Sequence, residues 1–166
     1  MTLIVETGSG DPTAESYASV AAADARLAAY GMSNWQPLAT ADKEAALRRS
    51  TAYIEGRYRE SWQGYRVNRA QALSWPRWNV FVDNFPIDGD IVPNEVMNAC
   101  IDLAFKASSG DLNADLTRGV VREKVGPIET EYDRLSPQSV RYPAIDAMLA
   151  PFLGANSGAN TILERC

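Results

Sequence analysis

The stretch from Gln71 to Ala107, QALSWPRWNVFVDNFPIDGDIVPNEVMNACIDLAFKA, decides how the chain is read. It opens on an aromatic knot, Trp75-Pro76-Arg77-Trp78, in which Pro76 fixes its own φ and pushes Trp75 toward an extended conformation. Two indoles around a proline make a rigid apolar wedge that either plugs a core or presents an anchor to a partner. In a domain of this size the core placement is the expectation. A short Val/Phe segment, Val80 to Val82, then turns at Asp83-Asn84, and Phe85 to Asp90 is a turn-rich connection. Asp88-Gly89-Asp90 echoes part of a calcium loop, but the twelfth-position Glu is missing and solvation of a loop is expected. Pro93 suits the first turn of a helix and Glu95 complements its N-terminus. Val96, Cys100, Leu103 and Ala107 share one face, with Met97, Ile101 and Ala104 beside it, so a largely buried helix is predicted, stopping near Ser109-Gly110.

Toward the N-terminus, residues 2–6 alternate enough for a short strand, and Gly8-Ser9-Gly10-Asp11-Pro12 reads as a loop. No GK[ST] follows the glycines, which removes the phosphate-loop reading. Ser19 is the predicted cap of an Ala-rich helix, VAAADARLAAY, that ends at Gly31. Thr40 is the next predicted cap, and the helix from Ala41 to about Arg59 sets Leu47, Thr51, Ile54 and Tyr58 in one stripe. Glu44 and Arg48 are spaced for an i,i+4 pair. Arg48, Arg49, Arg57 and Arg59 fall on no single line, so they form either a solvated cationic surface or an interface. Residues 60–70, ESWQGYRVNRA, read as a polar and aromatic loop.

Toward the C-terminus, Gly119 to Tyr132 alternates on both sides of Gly126-Pro127, as a hairpin does. Arg122 and Lys124 would then lie beside Glu129 and Glu131, with cross-strand charge pairs available, or offer an edge to a neighbouring subunit. Tyr142-Pro143 opens a last short helix with Ile145, Met148, Leu149 and Phe152 on its apolar side. The remaining GANSGANTILERC has the composition of a flexible segment with an apolar tip at Ile162-Leu163. The expected fold is mainly α: a small helical bundle, residues 1–153, with a β-hairpin arm at about 119–132 and an extended C-terminal tail, 154–166.

Composition narrows the function. The 166 residues are 46% hydrophobic and 22% charged, ordinary for one soluble domain. No apolar run is long enough to span a membrane, and Met1 to Glu6 lacks the features of a signal peptide, so folding in a cytoplasm is expected. Histidine is absent, and the two cysteines, Cys100 and Cys166, are too few for a disulfide framework or a metal site. With no GxSxG elbow and no marked base, neither enzymatic activity nor a cofactor is expected. Net charge is −5. Residues 40–80, however, carry eight basic side chains against four acidic ones, +4, which leaves −9 for the rest. A basic segment of that kind faces either phosphate or the acidic surface of a neighbour.

The set TLIVETGSG, KEAALRRSTAYIEGRY, QALSWPR, IVPNEVMNACIDLA, VREKVGPIETEY and AIDAMLAPFL, running from about Leu3 to Leu153, resembles tailed-phage proteins labelled DnaT-like single-stranded-DNA-binding proteins. Proteins that look like this are encoded among phage head and tail genes and are similar in layout to head–tail connectors. The resemblance therefore implies a structural virion protein, made in the host bacterial cytoplasm and placed at the neck. There it would be an adaptor, a closed ring of about twelve copies between the portal protein and a tail or stopper protein. Genomic double-stranded DNA would slide through its acidic lumen without sequence-specific binding. On that implication Gly154, Ile162, Leu163 and Arg165 dock on the portal. Arg48, Arg49, Arg57, Arg59, Arg122, Lys124, Glu129 and Glu131 meet neighbouring subunits. The alternative is the activity in the family label. Bases would stack on Trp62, Tyr65, Trp75 and Trp78, with phosphate contacts from Arg57, Arg59, Arg66, Arg69 and Arg77. Binding would then weaken steeply with salt, and on Trp75→Ala with the fold intact.

Overall fold

The computed structural model describes residues 2–114, 120–124, 129–132 and 140–154. They form a small, mainly α domain. Helix α1 is Val20–Ala29 and α2 is Thr40–Tyr58. Helix α3 is Asn94–Ala107, and α4, Pro143–Leu149, runs into a 3-10 turn at Ala150–Phe152. Between α2 and α3 lie two small antiparallel ladders. Strand β1 (Tyr65–Arg66) pairs with β2 (Arg77–Trp78), and β3 (Phe81–Val82) with β4 (Phe85–Pro86). A third pair, β5 (Val120–Lys124) and β6 (Glu129–Tyr132), is also antiparallel.

The helix ends follow the chemistry of their flanking residues. Ser19 Oγ accepts from the Ala22 amide at 3.1 Å, which satisfies one orphan donor of α1. Gly31, just past the end of α1, takes φ +70°, where a side chain would be strained. Helix α2 begins one residue earlier than its sequence suggests. Ala39 is the cap and makes no side-chain bond, while Thr40 is already helical. Asp42 in the first turn supplies the favourable charge instead. The strand expected at residues 2–6 is reduced to a single bridge, Val5 to Ser16. The reason is Glu6. Its buried carboxylate accepts from the amides of Gly8 (2.8 Å), Gly10 (3.0 Å) and Asp11 (2.8 Å) and curls the glycine loop around itself. The concave run of amides that a phosphate would occupy is filled by the chain's own anion.

Helix α3 is the hub, packed against α1, α2 and α4, with the largest contact to α2. The predicted stripes meet there: Leu47, Thr51, Ile54 and Tyr58 from α2 against Val96, Cys100, Leu103 and Ala107 from α3, all buried. Each large aliphatic side chain buried in this way contributes about 1.5–3 kcal/mol. Cys100, expected as a small buried hydrophobe, lies at the crossing with its Sγ 3.1 Å from Ser50 Oγ and 3.4 Å from Thr51 Oγ1. Ion pairs tie the outer helices in: Arg26 to Asp102 by two bonds (3.0 and 2.9 Å), and Lys43 to Asp24 (2.9 Å). Asp24 also accepts the indole N–H of Trp35 at 2.7 Å.

A run of aromatic rings, Tyr58, Trp62, Trp75 and Phe152, links the end of α2 to the 3-10 turn, with centroids 5.7–5.8 Å apart; Tyr58 is tilted against Trp62, and the two later contacts are edge-to-face. The chain closes where Gln63 and Gly154 exchange backbone bonds with Phe152 and Ser61. Cross-strand partners Arg122 and Glu131, and Lys124 and Glu129, sit opposite each other in the β5–β6 ladder, the register that their alternation predicts.

Candidate nucleic-acid interface

The β1–β2 ladder sorts the residues of the aromatic knot. Its register pairs Tyr65 with Trp78 and Arg66 with Arg77, so in each pair the two side chains fall on the same face. Arg77 turns inward. It is 8% exposed, and its guanidinium donates to three backbone carbonyls: Gln63 (2.6 Å, from Nε), Gly64 (2.7 Å, from Nη2) and Ser74 (3.2 Å, from Nη1). Burial is the main force that pulls its pKa below the usual arginine value, and the neighbouring Arg66 adds to it. Arginine stays charged under such pressure.

Trp78 turns outward and is 46% exposed beside Tyr65 at 62%. Two glycines make this possible. A Cβ at Gly64 would stand 2.0 Å from the Trp78 carbonyl oxygen, and Gly64 has φ +62°. A Cβ at Gly89 would stand 2.3 Å from the indole Cε3, so the ring rests flat on bare backbone.

Next to this aromatic pair is a cavity of about 280 Å³ lined by Arg59, Gly64, Tyr65, Arg66, Ser74 and Arg77. Arg66 is steadied by a bond from Nη1 to the Gln71 carbonyl at 3.1 Å. Arg59, at the C-terminal end of α2, has no ion-pair partner among the described residues. Beneath the cavity Glu55 accepts from the Ser74 amide (3.0 Å), from Ser74 Oγ (2.7 Å) and from the buried hydroxyl of Tyr17. Burial first, and then the charge of Glu55, raise the Tyr17 pKa well above its ordinary value, which keeps the phenol protonated as a donor. This buried cluster fixes the backbone of Ser74 and Trp75, and thereby the direction in which Arg77 and Trp78 leave.

The structure brings together part of the predicted binding set. Tyr65, Arg66, Arg77 and Trp78 share the ladder, while Arg69 is exposed but lies outside the cavity lining. Trp62 and Trp75 are in the core, Trp75 with no exposed surface. Neither ring can take a base, and Trp75→Ala would open the core rather than leave the fold intact. Arg57 is drawn away to Asp146 (3.3 Å) and over the ring of Tyr58.

Of the residues assigned to subunit contacts, Arg48 is held within its own chain by Glu15 (2.9 Å) and Glu44 (3.5 Å). Arg49 is exposed on α2 without an ion pair among the described residues. Arg122, Lys124, Glu129 and Glu131 are placed by backbone register alone. Gly154 donates its N–H to the Ser61 carbonyl (2.7 Å), while Ile162, Leu163 and Arg165 lie outside the described residues.

Sequence reasoning missed Gly64, Ser74 and Gly89, which act through tertiary contacts that leave no local signature. It also missed the exposed Phe81 and Phe85. Asp83 and Asn84, both at positive φ, form the two-residue turn expected there, but the pairing of Phe81–Val82 with Phe85–Pro86 across it was not drawn from it.

Fold and site together define a small helical domain that presents an aromatic and arginine-bearing face. The family whose sequences match over residues 1–166 is described as "Putative DnaT-like ssDNA binding protein", and the chain belongs to it. No curated protein and no solved structure matches the chain. The family match overturns the head–tail connector expected from the resemblance: it falls on the alternative, the activity in the label. The ring-forming adaptor role is therefore set aside, and the intramolecular pairing of Arg48 and Arg57 removes two of the cations on which that reading drew.

Proposed function

We propose that this chain binds single-stranded DNA, without catalysis, through the β1–β2 face. The observation that carries the reading is the cross-strand pair of exposed rings, Tyr65 and Trp78, beside a cavity bearing three arginines. Splayed bases stack on aromatic faces, and this is tolerant of sequence because every base has one. Arginine contacts the intervening phosphates and can stack as well. Arg59 and Arg66 are placed to take phosphate, and Arg69 extends the cationic surface. The exposed acids flanking Gly89, Asp88 and Asp90, discourage backbone from crossing the far side of Trp78. The family description supports the same reading.

The test is fluorescence anisotropy of a labelled oligodeoxythymidine against the full chain at low and moderate salt. Binding that falls with salt, and that Trp78→Ala weakens while Arg49→Gln does not, supports the proposal. Absence of binding at low salt, or equal loss for both variants, overturns it.

A further inference from the structure

The charge inside the arginine cavity selects among the phosphates of a DNA strand, an inference that rests on the strand-binding reading above. Three guanidiniums line the cavity, those of Arg59, Arg66 and Arg77, and Glu55 stands behind it, accepting from the lining residue Ser74 and acting on Arg77 through its charge. Three cations against one anion leave +2. An internal phosphodiester carries one negative charge, whereas a phosphate monoester carries about −1.5 to −2 at pH 7 with three acceptor oxygens.

The donors are also arranged for such a group. Arg77 is more than nine-tenths buried, bonds three carbonyls and no carboxylate, and retains N–H groups beyond those three. Arg66 commits one bond to Gln71 and keeps the rest. Glu55 acts on Arg77 at a distance, without a hydrogen bond, so the guanidinium keeps donor capacity for an anion. A cavity of about 280 Å³ admits a tetrahedral phosphate together with part of its sugar. Tyr65 stands at its wall, where the first base would lie.

We propose that the cavity takes a terminal phosphate monoester, so that the protein prefers the phosphorylated end of a DNA strand to its interior. The Tyr65–Trp78 pair then stacks the bases next to that end. Three sources could supply the same chemistry: a strand end, a free mononucleotide or inorganic phosphate. The stacking platform beside the cavity favours the strand end.

The experiment compares one oligodeoxythymidine in three forms, 5′-phosphorylated, 3′-phosphorylated and unphosphorylated, titrated against the full chain at moderate salt. Inorganic phosphate and thymidine monophosphate serve as competitors. One phosphorylated form is expected to bind about tenfold tighter than the unphosphorylated strand, the worth of one added charge-assisted hydrogen bond. Arg59→Gln, on an exposed side chain, should bring that ratio to about one while leaving the melting temperature unchanged. Arg77→Gln serves only if it folds, so the exposed variant keeps the test decisive. Equal binding of all three forms overturns end selection while the strand-binding reading stands. No binding of any form removes both. Full displacement by inorganic phosphate at the concentration that thymidine monophosphate requires would show a free-anion site and overturn the strand-end assignment.

Discussion

Trp75 and Trp78 stand on either side of Pro76-Arg77 and have opposite fates, one sealed in the aromatic run with Trp62 and Phe152, the other laid on Gly89 in contact with solvent. Substitution should separate them. Trp75→Ala is expected to cost about 3–5 kcal/mol of stability, read from denaturant unfolding, which is most of what a small domain has. Trp78→Ala is expected to cost about 1–3 kcal/mol of strand affinity and little stability. Gly89→Ala should copy the second effect with Trp78 left in the sequence, because the new methyl would need the space that the indole occupies and would displace it. Unchanged anisotropy titrations for Gly89→Ala would remove Trp78 from the platform. That Arg77 belongs inside could not be read from its sequence, where arginine defaults to the surface. Its burial depends on carbonyls of Gln63, Gly64 and Ser74 that only the folded β1–β2 ladder brings together.

At the scale of elements, the helices were legible because their apolar spacing and end residues agree. The stripe Leu47, Thr51, Ile54, Tyr58 needs no partner to be seen, and Ser19 and Gly31 mark both ends of α1. The N-terminal segment was not, because a carboxylate six residues into the chain overrides the strand pattern. Glu6→Gln keeps the shape but removes the charge and one of the two accepting oxygens, since Gly8 and Gly10 donate to Oε1 and Asp11 to Oε2, and is expected to cost about 2–4 kcal/mol in denaturant unfolding. Wild-type stability for that variant would show the loop to be held by something else.

The same segment gives an acid response. The Arg48 guanidinium, more than the Ile4 amide, holds the Glu15 carboxyl below its ordinary value of 4.5. A carboxyl depressed in the folded state stabilises at pH above its unfolded value, and that contribution is lost as pH falls through the folded one. Urea midpoints of the wild type should therefore drop below about pH 4.5 more steeply than those of Glu15→Gln. Parallel curves would show that the Arg48 contact contributes nothing to stability.

For the whole molecule, a net charge of −5 and a cationic patch make opposing demands on a polyanion. On the proposed reading, the few arginines at the β1–β2 face are the ones that would displace counterions. With three phosphates neutralised, the logarithm of affinity should fall with the logarithm of salt at a slope of roughly −2, since each phosphate on a single strand contributes about −0.7. A slope near zero would mean that stacking alone holds the strand, and one several times steeper would implicate cations beyond this face. Sequence reasoning had Tyr65, Arg66, Arg77 and Trp78 in view as part of an alternative, but it weighed total charge above local charge. The folded chain separates the two by drawing Arg26, Lys43, Arg48 and Arg57 into internal pairs and leaving Arg59 and Arg66 to the cavity.

The unequal placement of the four indoles also makes the protein its own optical reporter. Trp35, Trp62 and Trp75 are buried, and only Trp78 meets solvent. Emission should therefore contain a blue component that iodide cannot reach and a redder one that it can. A strand stacking on Trp78 would extinguish the red component alone and shift the remaining spectrum to the blue, whereas unfolding would move all four indoles to the red together. Unlabelled protein and unlabelled DNA thus suffice to tell occupancy from denaturation in a single cuvette.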